Sequence, residues 1–412
     1  MNNQYVTPAG YKKWSAGLMI AGLLTLILGF IFLNPFAGSH GDNSVSTRFW
    51  AVLLQNSLFW LMLVNIGTLF ISICTLAMGG WQTAFRRVAE AISTLIPVMG
   101  VITLIILIAI VLGGRHDIYH WLDSEAVAND HILKNKAGFL NPYVFLGSSI
   151  VVIALWTLLT KKLNQLSLES DAAGTMDPET SRKFLKKNLG YSAYFVVLYL
   201  LSVGSIMPWL WMMSIDPHWY STMYSWYTFA STFVSGIALL TIFVIYFKNR
   251  GVLPYVTKEH INDLGKFMFA FSIFWTYLWF SQFMLIWYAN IPEETIYFKA
   301  RLQGPYRGLF YLNLVLNFVA PILIFMKKAT KRNYTIVTFM CVVIIFGHWI
   351  DFYQMVMPGT AVGGNARLSW FEFGIPLGFV GLIMWGVNKF AEKVPMTAKN
   401  NPFLKESIVH QA

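Results

Sequence analysis

Residues Ala91–Leu112 read AISTLIPVMGVITLIILIAIVL, a stretch of 22 residues without a charged side chain. About 20 apolar residues are enough for an α-helix to cross the hydrocarbon core of a bilayer. The stretch lacks the alternation of apolar and polar residues that a strand of a membrane β-barrel shows. It therefore predicts a transmembrane helix, which satisfies its own backbone hydrogen bonds in lipid.

Nine further apolar stretches recur along the chain and predict an all-α integral membrane protein with about ten transmembrane helices. Lys12 and Lys13 precede the first stretch as in a signal peptide, but its apolar length favours a retained anchor. In chain order the ten predicted spans are Trp14–Leu33, Ala51–Met78, Ala91–Leu112, Tyr143–Thr160, Gly190–Met213, Met223–Phe247, Phe267–Ile291, Gly308–Met326, Thr335–Met357 and Trp370–Phe390.

The composition excludes several classes of soluble protein. Only 12% of the residues are charged and 56% are hydrophobic, whereas soluble domains carry about 25% charged residues. A soluble enzyme, a disordered chain and a nucleic-acid-binding protein are excluded on this ground. The net charge of +11 has another explanation, because the loops of membrane proteins also accumulate Lys and Arg.

The basic residues fall unevenly on the two sides of the predicted topology. With ten spans, 22 of the 30 Lys and Arg residues lie on the side that holds both termini. Because cytoplasmic loops are enriched in Lys and Arg, both termini are predicted to be cytoplasmic. The eight on the other side are Arg48, Arg115, Lys134, Lys136, Lys299, Arg301, Arg307 and Arg367.

The chain is predicted to form a single polytopic membrane domain over residues 1–412, because no loop is long enough for a soluble domain. Similar offsets between the span starts suggest two successive four-helix bundles, 51–213 (spans two to five) and 222–357 (spans six to nine). Spans one and ten would flank them. The basic segment 390–412 is predicted to be a flexible cytoplasmic tail.

Several cofactor sites are excluded by the residues present. Of the eight His residues only His348 lies within a predicted span, so the chain lacks the facing pair that a membrane b-type haem needs. It has no C-x-x-C-H motif, and Cys74 and Cys341 both lie in apolar segments. It also has no G-x-x-x-x-G-K-[ST] loop. The residues therefore predict no b-type or covalent haem, no iron–sulfur, zinc or disulfide framework and no metal site in this chain.

Polar residues within the spans are the candidate functional residues, because they are costly in lipid. His348 and Asp351 are three residues apart in span nine, a spacing that places them on one helix face. A buried Asp–His pair can hold and pass a proton, since each group changes the proton affinity of the other. Amide side chains nearby could hydrogen-bond a quinone carbonyl. The residues expected at a similar depth, as a proton path or as quinone contacts, are Asn56, Gln282, Gln354 and Glu372, together with Gln55.

Two other interpretations of these residues stay open. Polar side chains also form clusters that only hold membrane helices together, and Asn65, Asn313 and Asn317 are interpreted in this way. His348 and Asp351 would equally suit a proton-coupled transporter. Such transporters usually have broken helices and charged groups in both halves, whereas spans two to five contain no ionisable residue deep in the membrane.

Two sequence segments carry a resemblance to a known family. Phe280–Thr295, FSQFMLIWYANIPEET, follows Phe274–Tyr277, FWTY, in and after span seven. His348–Tyr353, HWIDFY, and Val356–Gly359, VMPG, lie in span nine and just after it. These motifs resemble the NrfD-like (polysulfide-reductase membrane subunit) proteins of alternative complex III, a bacterial quinol:cytochrome c oxidoreductase. The length, the ten spans and the cytoplasmic termini agree with that family.

The resemblance implies two four-helix bundles and a place in the bacterial cytoplasmic (inner) membrane. It implies in addition that the chain itself holds no cofactor, apart from a possible quinone. Haem c and iron–sulfur clusters are implied to lie on partner subunits, namely a multihaem cytochrome c and an iron–sulfur protein. Further implied partners are a paralogous NrfD-like subunit that binds quinol, such as menaquinol, a terminal oxidase and lipids, with no nucleic acid among them. The paralogue thought to oxidise quinol has its His and Asp in the earlier bundle.

This chain departs from the quinol-oxidising paralogue, because its first bundle offers only Gln55, Asn56 and Asn65. It is therefore more similar to the second, ActF-like subunit. That placement implies an accessory role in assembly, quinone contact or proton conduction through Asp351 and His348, and no catalytic residue. Trp275, Trp279 and Trp287 are candidates for membrane-facing contacts with other subunits. The alternatives are a proton-coupled secondary transporter and a purely structural scaffold subunit.

Overall fold

The structure is a computed structural model that describes residues 5–36, 44–172, 174, 177–360 and 368–411. Throughout these residues the regular structure is helical, without a β-strand. Ten of the described helices are long and apolar enough to cross a membrane, which confirms the predicted number. They are α1 (Ala9–Phe32), α2 (Val45–Leu76), α3 (Arg86–Leu112), α4 (Pro142–Ala172), α5 (Pro178–Ile215), α6 (Met223–Asn249), α7 (Lys258–Ala289), α8 (Gly304–Phe325), α9 (Tyr334–Gly359) and α10 (Trp370–Lys393).

Two of these helices contain π-helical segments. In α5 the regular helix gives way to a π-helix over Ser202–Met212, which contains Pro208. Proline has no backbone N–H and clashes with the preceding turn, so it disturbs the helical hydrogen bonds around it. In α8 a π-helix covers Val315–Val319. Wide turns of this kind are frequent at functional sites, and the one in α8 lies beside the cluster described below.

Helices α2 and α6 form the centre of the protein and are almost completely buried by their neighbours. Helix α2 packs against α3, α5 and α6, while α4 packs against α3 and α5. Helix α6 packs against α7 and α9, and α8 packs against the same two helices. The deepest positions therefore lie where α2 and α6 meet α9.

Helices α1 and α10 pack along each other at the edge of the protein. A Cβ atom added to Gly22 of α1 would collide with the backbone of Gly378 in α10. Small residues let membrane helices approach this closely. The absence of a side chain at Gly22 is thus what allows the two helices to meet.

The first and last described segments of the chain, from Tyr5 and up to Gln411, lie at one end of the helical assembly, called the terminal end below. The hydroxyl of Tyr5 donates a 2.7 Å hydrogen bond to Asn388 in α10. The short helix Leu404–Ile408 packs against the turn Gly80–Ala84. There Ser407 accepts a 3.0 Å hydrogen bond from the Ala84 amide. The prediction of a flexible tail over 390–412 is wrong for its described residues, because Met396, Leu404 and Ser407 are buried against the rest of the protein.

An ionic cluster at the start of α3 also lies at the terminal end. The helix begins five residues before the predicted span, which brings Arg86, Arg87 and Glu90 into the fold. Glu90 is fully buried and accepts hydrogen bonds from Arg86 Nε at 2.9 Å and from Arg87 Nη1 at 2.6 Å. Arg87 also forms an ion pair with Asp171 of α4. Two helices are thus joined by charges that the sequence had placed in loops.

One of the eight basic residues assigned to the non-cytoplasmic side, Arg367, lies outside the described residues.

Candidate functional site

Asp351 is the centre of a polar cluster formed by four helices. It lies in α9, is 0% exposed, and accepts hydrogen bonds from three neutral groups. The Tyr227 hydroxyl from α6 and the Asn313 amide from α8 donate to Oδ1, the amide at 2.8 Å. The Trp275 indole N–H from α7 donates to Oδ2 at 2.9 Å. Each of the three helices around α9 therefore supplies one donor to this carboxylate.

His348 lies one helical turn before Asp351, as the spacing predicted. Its Nδ1 atom is 3.7 Å from Oδ2 of Asp351 and 2.9 Å from the Ser231 hydroxyl of α6. The Trp275 ring packs edge-to-face against the imidazole, with 5.4 Å between the ring centroids. Within the described chain the second ring nitrogen, Nε2, is buried and has no hydrogen-bond partner. His348 is therefore positioned on one side by Asp351, Ser231 and Trp275, and its other side is available to a proton donor or acceptor.

The Asp351–His348 pair places an acidic and a basic side chain next to each other. Three neutral donors hydrogen-bond the carboxylate, and its Oδ2 atom lies 3.7 Å from Nδ1 of the imidazole. Helix packing alone does not require such groups, because apolar residues of the same volume avoid the cost of burying charge. The cluster is thus suited to taking up and releasing a proton within the membrane-spanning part of the chain.

The side-chain amide of a second asparagine fixes the position of Asn313. Asn317 lies one turn later in α8 and donates a 2.5 Å hydrogen bond to Oδ1 of Asn313. Asn313 therefore accepts from Asn317 with its oxygen and donates to Asp351 with its nitrogen. A Cβ atom at Gly347 of α9 would collide with Oδ1 of Asn317. The glycine next to His348 thus makes room for the amide chain that leads to Asp351.

Replacing Gly347 with alanine is expected to destabilise the fold by about 1–3 kcal/mol, the usual cost of overpacking a buried site. The new methyl group must push Asn317 aside, which loosens the hold on Asn313. Thermal unfolding of the detergent-solubilised variant measures this effect. Gly147→Ala in α4 is the matched control, since a Cβ there has no neighbouring atom within 4 Å. Equal unfolding temperatures for the two variants would contradict the prediction.

The other predicted site residues lie in separate contacts. Asn56 accepts a 2.9 Å hydrogen bond from the Trp349 indole and donates to Gln55. Glu372 forms an ion pair with Arg48 at 2.5 Å. Gln354 donates to the backbone carbonyl of Tyr306 at 3.1 Å. Gln282 is buried, and its side-chain nitrogen has no partner among the described residues. In the described structure none of these side chains hydrogen-bonds to His348 or Asp351.

Tyr227, Ser231 and Trp275 contact the pair but were not predicted as site residues. Trp275 was expected to face the membrane, and that expectation is wrong, because the side chain is 0% exposed and binds Asp351. Trp287 is exposed, as expected. Asn313 was interpreted as a helix–helix contact, and its partner is the candidate functional carboxylate itself. The only available signal was polarity within apolar spans, which does not reveal the face on which a residue lies.

Aromatic residues lead from Asp351 towards the end opposite the terminal end. The Tyr227 and Tyr224 ring centroids are 6.1 Å apart, and Tyr224 lies edge-on to Tyr297 at 6.3 Å. The guanidinium of buried Arg301 lies 3.3 Å from the Tyr297 ring centroid. Burial raises the pKa of Asp216 after α5, and the positive charge of Arg301 opposes this shift. A carboxylate and a guanidinium thus lie at the far end of the row.

In the described chain, no group of three or more His, Cys, Asp or Glu side chains is arranged to hold a metal ion. Cys74 and Cys341 are both buried as free thiols.

No family model matches the sequence of this chain, and no curated protein matches it significantly.

Proposed function

We propose that the chain is an integral membrane subunit, of the NrfD-like type, of a bacterial respiratory quinol:cytochrome c (or other acceptor) oxidoreductase resembling alternative complex III. The observation that carries this proposal is the buried Asp351–His348 pair with one donor from each of α6, α7 and α8. His348, Asp351 and Trp275 lie in the segments in which the sequence resembles that family, whereas Tyr227 and Asn313 lie outside them. The subunit contributes a proton-binding site and supports the assembly of the complex.

The helix contacts support the arrangement that the resemblance implies. Helices α2 to α5 each pack against their neighbours in a ring, as do α6 to α9, and the two rings meet where α2 and α5 contact α6 and where α2 contacts α9. Helices α1 and α10 lie side by side. We take these as two four-helix bundles with two flanking helices. The excess of Lys and Arg at the terminal end supports a cytoplasmic location for both termini, in the inner membrane of a bacterium.

The position of the ionisable pair supports an accessory role, because the pair lies in α9 of the second set of helices, whereas the paralogue thought to oxidise quinol has its His and Asp in the first. The first set of helices in this chain contributes neutral Asn56 and Gln55 where α2 meets α9, and these bind Trp349. Quinol oxidation would then belong to a paralogous subunit, and the haem c and iron–sulfur clusters to partner proteins. This chain would be the second, ActF-like subunit, with quinone contact as a secondary role.

The direction of proton release in this proposal is given by the residues around Asp351. The Tyr227 hydroxyl, which donates to Asp351, is the first group on the route. The rings of Tyr224 and Tyr297 lie between Tyr227 and the groups Asp216 and Arg301 at the end opposite the terminal end. With both termini cytoplasmic, this direction leads away from the cytoplasm.

Purification of the tagged chain from its native membrane in mild detergent tests the proposal. We expect haem c absorbance and iron–sulfur electron paramagnetic resonance signals to co-elute with the chain at constant ratio. A tagged unrelated membrane protein from the same membrane is the control for carry-over. Elution of this chain as a stable monomer without haem or iron would overturn the proposal.

A further inference from the structure

A basic recess lies at the terminal end, between the N-terminal segment, the end of α6 and the segment after α10. Its volume is about 770 Å³, and its cations are Arg250, Lys393 and Lys399. No acidic side chain is among the described residues that line it. Within the described structure none of the three cations forms an ion pair with a carboxylate. The recess therefore carries three positive charges that no described carboxylate pairs with.

An apolar groove of about 490 Å³ lies between α6, α9 and α10. Phe243, Phe346 and Leu377 are among the side chains that line it, each from a different helix. Val342 on its wall is 56% exposed, so the groove opens towards the surrounding bilayer. Its length runs along spanning helices, and its apolar lining matches a hydrocarbon chain.

Tyr246 of α6 joins the recess to the groove. Its ring lines the groove, and the guanidinium carbon of Arg250 lies 5.6 Å from the centroid of that ring. Its hydroxyl is 2.8 Å from the hydroxyl of Tyr5, which lines the recess. The recess and the groove therefore lie on either side of the Tyr5–Tyr246 contact, close enough for the charged head and an apolar chain of one molecule.

We propose that this chain binds one anionic phospholipid, with its phosphate in the recess beside Arg250, Lys393 and Lys399 and one acyl chain in the groove. Basic pockets between membrane helices on the cytoplasmic side bind acidic lipid headgroups, and guanidinium groups bind phosphate through paired hydrogen bonds. The three cations favour a phosphate over the neutral ring of a quinone. The groove favours a lipid over free phosphate. This site is independent of Asp351 and of the proposed respiratory role.

The test uses the full chain, purified in detergent, and phosphatidylglycerol and phosphatidylethanolamine as probes. Native mass spectrometry counts the bound lipid, and the unfolding temperature reports its effect on stability. We expect phosphatidylglycerol to bind and to raise the unfolding temperature, and phosphatidylethanolamine to have a much smaller effect. Inorganic phosphate at millimolar concentration should not reproduce the shift, since it cannot fill the groove.

The triple variant Arg250→Gln, Lys393→Gln, Lys399→Gln is expected to weaken phosphatidylglycerol binding at least about tenfold, because each basic residue near the headgroup contributes attraction. Arg182→Gln, Lys186→Gln, Lys187→Gln removes the same charge from exposed positions of α5 and should bind as the unchanged protein does. Val342→Trp, which fills the groove and leaves the cations in place, should also weaken binding.

Three results would overturn the proposal. The first is equal lipid binding by the two triple variants, which would indicate only a diffuse attraction to a positive surface. The second is an equal rise of the unfolding temperature with inorganic phosphate, which would show that the acyl chain does not contribute to binding. The third is recovery of a quinone instead of a phospholipid from the purified protein, in an amount that Val342→Trp reduces and the recess variant does not.

Discussion

Replacing Glu90 with alanine is expected to destabilise the protein by about 3–5 kcal/mol, the usual cost of removing one partner from a buried ion pair. Glu90 is fully buried and receives hydrogen bonds from both Arg86 and Arg87. Without it, Arg86 keeps a 3.4 Å contact with the Thr75 hydroxyl, and Asp171 is the one carboxylate partner that Arg87 retains among the described residues. The two buried guanidinium groups of Arg86 and Arg87 would then be balanced by the single negative charge of Asp171, which leaves one buried positive charge without a counter-charge.

The free energy of unfolding in mixed micelles measures the effect of Glu90→Ala. Glu179→Ala is the matched control, because Glu179 pairs with Lys183 four residues later at an exposed position of α5. Exposed pairs of this kind contribute little to stability, so this control should unfold like the unchanged protein. Similar losses in both variants would show that the buried cluster is not a special source of stability.

The fold was predictable because its main signal is local. A stretch such as Ala91–Leu112 has to be helical in lipid whatever surrounds it, and its length sets the number of spans. The ends of the helices were less predictable. Helix α3 extends back to Arg86 because Glu90 and Asp171 neutralise charges that a count of apolar residues assigns to a loop. The tail after α10 was misjudged for a similar reason, since Ser407 finds its partners in a distant turn.

The candidate site was predictable only within one helix. His348 and Asp351 share α9, so their spacing was enough to place them together. Tyr227, Trp275 and Asn313 come from three other helices, and the faces they present depend on packing that one sequence does not reveal. Depth along the membrane was a weak guide, because Glu372 binds Arg48 and Gln354 binds a backbone carbonyl instead of Asp351.

Replacing Asp351 with asparagine is expected to abolish the proposed proton transfer while the protein still folds. Asparagine keeps the size of the side chain but replaces one acceptor oxygen with an NH₂ group. That group then faces either the Trp275 indole N–H or the Tyr227 and Asn313 donors. The unmade hydrogen bond costs about 1–3 kcal/mol. The larger effect is functional, because a positioned proton-transfer group contributes about 10²-fold or more to a rate.

Quinol-driven proton release in sealed vesicles that contain the proposed respiratory complex measures this functional effect. Asp351→Glu keeps an ionisable group and should restore part of the rate. Asp117→Asn is the control for the chemical change, since Asp117 is also a largely buried carboxylate, paired with Arg115 at 2.6 Å outside the spans. It should leave proton release per folded complex unchanged.

The same variant separates the three functions that suit the Asp351 cluster. If Asp351→Asn abolishes proton release in the assembled complex and Asp351→Glu restores it, the proposed role as a respiratory subunit is supported. If the isolated chain takes up a solute into vesicles and Asp351→Asn abolishes this uptake, the protein is a proton-coupled transporter instead. Unchanged turnover and proton release in both Asp351→Asn and His348→Ala would indicate a purely structural scaffold. Mutations in a cluster that only holds helices together affect stability and not the movement of protons.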